Sequence, residues 1–414
     1  MGTGKLSFGK LWMIAYRDLR RNRRRSLLTL IAVAIGLALL VLTVGLIEGA
    51  ISGAIENNIR LRTGHLQVRE ESYDEDKVSM QWDDLLENPE ELTTQIESIP
   101  QVQVASPILW ASGILIVSDE SVGVRVNGID PLARTSAPFQ EGIVAGHFLA
   151  QDDRGGILIG RRLAESLDLS VNDQINLLVN TSDGQPDEAL FTIRGLFDTG
   201  TPTYDETTIL MPLSKAQAFT RTEGRASVII ILLNDQEDAE HVASLLRAPQ
   251  FGVFTWRELN ELIMQAVETS MGIMNLMYLI VLAVVAVVIA NTLLMSVFER
   301  TREMGILAAL GMKGRQILAM FIIEAGTLGL IGIILGIILG SVGVFYLATH
   351  GWNIGDAASV ASAEMAYSQV IYARFAPQET FNLSIVALVI IILASIYPAS
   401  LAARLEPIDA LRAL

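Results

Sequence analysis

Long uncharged stretches alternate with polar regions along the chain, and four of these stretches are long enough to cross a membrane. The first covers Ser26–Ile47 and is followed by roughly 220 mostly polar residues. The other three fill the last third of the chain, between Glu268 and Glu299, between Glu324 and Asp356, and between Glu379 and Arg404. Each has the twenty or so apolar residues that a helix needs to cross about 30 Å of hydrocarbon. The pattern predicts four transmembrane helices in a one-plus-three arrangement, with a large soluble insert after the first.

The insert contains short segments that are typical of a mixed α+β domain. Pro89–Ile99 begins with proline and acidic residues, which predicts a helix. Alternating apolar and polar positions predict strands at Val102–Leu109, Gly113–Val117 and Val122–Ile129. We expect Ser214 to cap a helix that ends at Phe219. An insert of this length buries its own core, arranged as two lobes.

Charge is distributed unevenly between the two kinds of segment. The 414 residues are 51% hydrophobic and 18% charged and carry a formal net charge of −15, with a mean hydropathy of +0.43. Residues 1–25 hold eight Lys or Arg against one acid, whereas 50–271 hold 15 Lys or Arg against 35 Asp or Glu. Because Lys and Arg beside membrane spans stay in the cytoplasm, both termini and the loop after the second span are predicted inside, and the insert outside. The chain has no cysteine, which excludes a disulfide scaffold.

The N-terminal segment predicts an amphipathic helix that lies on the inner membrane surface, with Trp12 on its apolar stripe. The predicted surface anchor comprises Trp12, Arg20, Arg21, Arg23, Arg24 and Arg25. A basic run of this kind also occurs in nucleic-acid-binding patches, but its position directly before a span favours membrane topology and anionic lipid. No nucleic-acid partner is expected. The apolar run after it is too long for a cleaved secretory signal, so an uncleaved anchor is predicted.

Two features of the third span suggest specific contacts. Gly332, Gly336 and Gly340 recur at four-residue spacing, and such a face lets two helices approach closely in lipid. Packing within the four-helix set and contact with a second chain both fit this pattern. Glu324 is the one ionisable residue well inside an apolar stretch. It follows the cytoplasmic Arg315 by about one or two turns, which favours an ion pair near the interface over a substrate or proton site.

Enzyme motifs are missing from the sequence. The four histidines are scattered and lack the spacing of metal ligands. Gly4–Lys10 fits the G-x-x-x-x-G-K pattern, but Leu11 stands where the Mg²⁺-binding Ser or Thr is required, and no strand precedes the loop. We therefore expect a non-catalytic chain that binds no cofactor or metal.

Several segments together resemble a known family. These are the basic start AYRDLRRNRRRSLLT, the loop ERTREMGILAALGMKGRQI, the third-span run IIEAGTLGLIGIILGIILG and the ending YPASLAARLEPIDALRAL. With the single span and large insert, they resemble the FtsX-like, MacB-type permeases of ABC systems, and most nearly the LolC/LolE lipoprotein-releasing permeases. The likeness covers nearly the whole chain. It implies an inner-membrane protein whose insert is a MacB-like periplasmic core domain, with a porter-like lobe split around a β-rich lobe at about 119–212.

The predicted segments follow from these patterns and from the resemblance. They are 1–25 for the amphipathic helix, 26–49 for the first span and stalk, 50–270 for the insert, 271–298 for the second span, 299–317 for a coupling helix and loop, 318–349 for the third span, 350–379 for an outer loop, 380–403 for the fourth span and 404–414 for the tail.

The resemblance also implies a function and partners. Two such permease chains pair, as a homodimer or a heterodimer, and two separate ATPase subunits that bind ATP and Mg²⁺ dock beneath them. The segment that matches the family's coupling helix comprises Glu299, Arg300, Arg302, Glu303, Met304, Gly305, Ile306, Leu307, Leu310 and Gly311. The implied role is to couple ATP hydrolysis to the extraction of lipoproteins or other lipidated substrates, with a periplasmic chaperone or adaptor as a further partner. The alternatives are MacB-like efflux through an outer-membrane duct and FtsX-like regulation of cell-wall hydrolases.

Overall fold

The computed structural model describes residues 23–75, 77–117, 120–153, 155–247, 251–355 and 368–404. The predicted surface helix, including Trp12, Arg20 and Arg21, lies outside the described residues, as do part of the outer loop and the tail from 405 onward. The described residues belong to two compact units. The membrane unit comprises 23–50, 267–352 and 372–404, and the insert unit comprises 51–266 and 353–371.

Twelve α-helices are described. They are α1 Arg23–Asn58, α2 Pro89–Glu97, α3 Ala137–Glu141, α4 Arg161–Ser166, α5 Pro202–Asp205, α6 Leu213–Thr220, α7 Ala239–Leu246, α8 Trp256–Leu259, α9 Glu261–Glu299, α10 Thr301–Ala309, α11 Gly314–His350 and α12 Pro377–Ala403. A π-helical turn, Ile59–Thr63, follows α1. Within the described part of the chain, four helices are long and apolar enough to span a membrane, namely α1, α9, α11 and α12. The predicted one-plus-three arrangement is confirmed.

Fourteen strands are described. They are β1 Leu66–Arg69, β2 Leu86–Glu87, β3 Val102–Val117, β4 Glu120–Ile129, β5 Ile143–Gly146, β6 Gly156–Gly160, β7 Gln174–Asn180, β8 Pro186–Phe197, β9 Thr208–Pro212, β10 Arg225–Ala226, β11 Val228–Leu233, β12 Gly252–Thr255, β13 Trp352–Asn353 and β14 Val370–Ile371. Ten of them form one sheet in the order β12-β1-β11-β3-β4-β9-β6-β8-β5, with β7 paired to β3 and β8. The insert is therefore α+β, as predicted.

Hydrophobic pattern explains where the strands lie in this sheet. The runs of β6 and β9 are buried at every position, which is typical of strands covered on both faces. By contrast, every second residue of β7 is buried and the residues between them are half-buried, so one face of this strand packs against the core. Two hydrophobic clusters fill the insert unit, one centred on Leu115, Leu177 and Phe191 and one on Leu66, Ile96 and Ile231.

Two local predictions are wrong. The segments Val102–Leu109 and Gly113–Val117 form the single strand β3, because β11 pairs with its first half and β4 and β7 continue along the second. Ser214 does not cap α6, since the helix begins one residue earlier, at Leu213, and its cap position is Pro212.

Candidate functional site

The segment between the second and third membrane helices is short and sharply bent. α9 ends at Glu299, and Arg300 leaves helical geometry with φ −111° and ψ 13° before α10 begins. After α10 the chain turns at Gly311, whose φ of +96° strongly favours glycine. α11 then begins at Gly314. We call residues 299–314 the loop segment.

A buried ion pair connects the loop segment to the interior of the membrane unit. Arg300 Nη1 lies 3.5 Å from Glu324 Oε2, and the two side chains are only 5% and 4% exposed. Arg300 also donates from Nε to Glu303 Oε2 at 3.1 Å. Arg300 thus bridges a carboxylate of α11 and a carboxylate of α10.

The expected partner of Glu324, Arg315, is not the one in the structure. Both residues belong to α11 and are nine positions apart. Nine residues at 100° each place them about 180° apart around the helix, and Arg315 is exposed. Glu324 therefore pairs with a residue from a different element.

A second ion pair joins the first and second membrane helices at the same end. Arg25 Nη1 donates to Glu299 Oε2 at 2.6 Å, with side chains that are 22% and 44% exposed. One turn further along α1, the hydroxyl of Thr29 donates to the hydroxyl of Thr292 at 3.0 Å. Among the predicted anchor residues that the structure describes, Arg25 makes this ion pair within the membrane unit, and Arg23 and Arg24 lie at the exposed start of α1. Sequence reasoning missed the threonine contact, because single threonines are common in apolar helices.

α10 presents one face inward and one face outward. Met304 is 1% exposed, Gly305 is buried, and Leu307 packs against the core of the membrane unit. On the outward face Arg302 is exposed and Ile306 is 46% exposed, and Leu310, the residue that follows the helix, is 80% exposed. The outward residues recur at four-residue spacing, which lines them up on a helical surface. The arrangement offers a small apolar surface with a basic residue beside it.

The glycine face of α11 lies against α1 of the same chain. A Cβ built on Gly332 would stand 2.7 Å from a methyl carbon of Val33, one on Gly336 would stand 2.8 Å from the Cβ of Leu37, and one on Gly340 would stand 2.7 Å from the Cβ of Val41. Each contact repeats one turn further along both helices. These three glycines therefore make an intrachain helix contact.

The described residues offer no metal-binding cluster. No group of three or more His, Asp or Glu among them is arranged to hold a metal ion. The chemistry of the loop segment is that of ion pairs and apolar contact.

Two family models match the sequence. The MacB-like periplasmic core domain matches residues 26–248, and the FtsX-like permease C-terminal domain matches residues 275–407. The first match alone covers more than half of the chain.

Several relatives align with nearly the whole chain. The lipoprotein-releasing system transmembrane protein LolC of Neisseria meningitidis serogroup B is 24% identical over 96% of both chains. The corresponding LolE protein of Haemophilus influenzae is 24% identical over 97% of this chain and 98% of its own length. The macrolide export ATP-binding/permease protein MacB of Salmonella choleraesuis is 24% identical over 98% of this chain and 61% of its own length. Among solved structures, the periplasmic region of MacB from Actinobacillus actinomycetemcomitans matches 52% of this chain and 97% of its own, with 15% identity and a TM-score of 0.34.

Proposed function

Because the chain belongs to the family of ABC transporter permeases that combine a MacB-like periplasmic core domain with an FtsX-like C-terminal domain, we propose that it transmits the work of a separate ATPase to a lipidated cargo. In this proposal the loop segment receives the ATPase in the cytoplasm. The insert unit acts on lipoproteins, or on other lipid-modified substrates, at the outer surface of the inner membrane. ATP and Mg²⁺ are bound by the ATPase and not by this chain.

The observation that carries the proposal is the outward face of α10. Ile306 and Leu310 expose apolar surface at the end of the membrane unit, next to the exposed Arg302. Exposed apolar side chains on a short, well-supported helix suit a docking contact, in which such a helix lies in a groove of its partner. The inward face supports this use, since Met304 is buried and Arg300 is held by two carboxylates.

A path for transmission follows from how the chain is connected. α1 supplies residues to both units. In the insert unit, β1 follows α1 and pairs antiparallel with β12, which precedes α8 and α9. The strand by which the chain enters the insert, β1, and the strand by which it leaves, β12, are therefore hydrogen-bonded to each other. A movement of α1 or α9 acts on the same edge of the insert sheet.

The cargo is proposed from the relatives. LolC and LolE proteins, named as parts of a lipoprotein-releasing system, align over nearly the whole chain. Pairing with a second permease chain, both termini in the cytoplasm, and a periplasmic chaperone or adaptor belong to the same proposal.

The docking contact is tested with matched leucines. Leu310→Asp places a charge on the outward face of α10, and Leu132→Asp places one on an equally exposed leucine of the insert unit, 80% and 75% exposed respectively. Each full-length variant is purified from its native host in mild detergent, and copurifying ATPases are identified by mass spectrometry. We expect Leu310→Asp to lose the ATPase and Leu132→Asp to retain it. The proposal fails if no ATPase accompanies the wild-type chain, or if both variants retain it equally.

The cargo is tested on the same preparations. Lipoproteins enriched with the wild-type complex, and released from it on addition of ATP, support extraction. Recovery of an efflux adaptor and a duct would instead favour drug export of the kind named for the MacB relative. Recovery of a cell-wall hydrolase bound to the insert would favour a regulatory role.

A further inference from the structure

The junction between α9 and α10 is a single non-helical residue, Arg300. Its backbone N–H donates to the carbonyl of Ser296. The hydroxyl of Thr301 donates to the carbonyls of Val297 and Phe298. These bonds tie α10 to α9, but none of them reaches α11, so a push on the outward face of α10 moves α11 only if another contact joins the two. The side chain of the junction residue supplies such a contact.

Arg300 reaches from the junction to two other elements. Its Nη1 lies 3.5 Å from Glu324 Oε2 in the first third of α11, and its Nε lies 3.1 Å from Glu303 in the first turn of α10. The preceding residue, Glu299, is bonded to Arg25 of α1. Two consecutive residues of opposite charge thus connect the junction to α1, α10 and α11.

Burial makes the Arg300–Glu324 contact specific. Glu324 lies ten residues after Gly314, about 15 Å along the axis of α11. The two side chains are almost completely shielded from solvent, so little water screens the attraction between their charges. A buried pair of this kind adds little net stability over apolar packing, but it strongly favours the one geometry that satisfies both charges.

We propose that Arg300 and Glu324 are positioning residues that lock the angle of α10 to the third membrane helix, so that a push on the outward face of α10 moves α11. The inference rests on the proposed function, because that function names the ATPase as the source of the push on α10. The contact that holds α10 against α11 belongs to this chain alone. Neither residue touches the ATPase in this scheme, because both side chains point into the membrane unit.

The locking is tested by amide hydrogen exchange of the full chain in nanodiscs, without any ATPase. Glu324→Gln is compared with wild type and with Glu379→Gln, the same change at the exposed start of α12. We expect exchange in peptides covering 299–311 to become roughly tenfold faster or more in Glu324→Gln, and to stay unchanged in Glu379→Gln.

A second variant keeps the test decisive if Glu324→Gln does not fold. Arg300→Lys keeps the charge opposite Glu324 but has no fork with which to reach Glu303 as well, and it should also speed exchange in 299–311. The proposal is overturned if neither folded variant changes exchange there, or if α1 and α12 loosen to the same extent. The second result would indicate a general structural role.

Transmission is tested on the complex with its copurified ATPase. Addition of ATP should change exchange within α11 of the wild type, and Glu324→Gln should retain the ATPase but lose this change. An ATP response that survives the substitution would refute the role of the pair. If the wild type brings no ATPase, the proposed function fails, while the exchange of the chain alone still decides whether the pair locks α10.

Discussion

Gly336 of α11 lies so close to Leu37 of α1 that a Cβ built on the glycine would stand 2.8 Å from the Cβ of the leucine. The same Cβ would stand 2.9 Å from the carbonyl oxygen of Ala34, which is backbone and cannot turn aside. The two helices approach at this point because the glycine has no side chain, and lipid offers no hydrophobic force to bring them together otherwise.

We expect Gly336→Ala to destabilise the membrane unit by about 1–3 kcal/mol, because an extra carbon in a tight contact forces the helices apart. Gly326→Ala is the matched control in the same helix, since no described atom lies within 4 Å of its Cβ position. That change should be neutral or stabilise by up to about 1 kcal/mol, because alanine favours helix. Thermal unfolding in one detergent compares the two variants, and equal midpoints would contradict the expectation.

The two ion pairs at the loop end should differ sharply in their contribution to stability. Arg300→Gln removes the cation beside Glu324, whose side chain is 4% exposed, which should cost about 3–5 kcal/mol. Arg25→Gln breaks a pair whose carboxylate is 44% exposed, which should cost no more than about 1 kcal/mol. The free energy of unfolding of both variants is measured by denaturant titration in mixed micelles and compared with that of the wild type. A similar loss for both would mean that the Arg300 site is hydrated.

The sequence pattern was sufficient to locate the four membrane spans but not to identify which spans contact each other. Hydropathy alone located four helices, since the cost of unpaired backbone in lipid leaves few other solutions. Their four-residue spacing also marked Gly332, Gly336 and Gly340 as a contact face, but it left open whether the partner is a helix of the same chain or a second chain. In the structure the partner is α1 of the same chain. Which helix meets the glycines depends on packing in three dimensions.

Glu324 illustrates the same limit. Its isolation in an apolar run marked it as paired, yet the nearest cation in sequence lies on the far side of its own helix. The actual partner, Arg300, is brought close by the chain reversal between Gly311 and Gly314. A contact between residues of different helices depends on the angle of that turn, which residue periodicity does not encode.

Stability of the insert unit should depend on pH through Asp205. Burial raises the pKa of its carboxyl to about 7, although the backbone N–H and hydroxyl of Thr199 donate to it. The unfolded value is about 4, so between about pH 4 and pH 7 the folded state binds the extra proton. Stability from this group is therefore present at low pH and is lost as pH rises toward 7, by at most about 1.4 kcal/mol per pH unit.

Asp205→Asn should flatten this dependence. Unfolding of the insert unit is followed by amide exchange of the full chain at pH 5, 6, 7 and 8, corrected for intrinsic rates. Glu120→Gln, an exposed change in β4, should retain the wild-type slope. Burial lowers the pKa of His65 in the folded state. The folded state therefore favours the neutral imidazole, and the contribution of His65 to stability rises with pH, opposite to that of Asp205. That contribution is common to all three proteins and cancels in the comparison.

The connection between the two ends of the insert should depend on Asn58 and Asn260. The side-chain amide of Asn58 donates to Asn260, whose own amide donates to the carbonyl of Trp256 at 2.6 Å, and the two asparagines are 5% and 1% exposed. Asn260→Ala leaves a buried donor without its acceptor, which should cost about 1–3 kcal/mol. Removing both asparagines should cost less than the sum of the single changes, because no amide is then left unpaired.

Amide exchange in β1 and β12 follows this cycle, since β1 is the first strand after Asn58, β12 is the last strand before Asn260, and the two strands pair with each other. Asn180→Ala, an exposed change at the end of β7, controls for loss of an amide as such. Additive effects of the two single changes would show that the asparagines act independently. A coupling energy of about 1 kcal/mol or more would instead mean that the helices flanking the insert are held to each other, so that neither moves without the other.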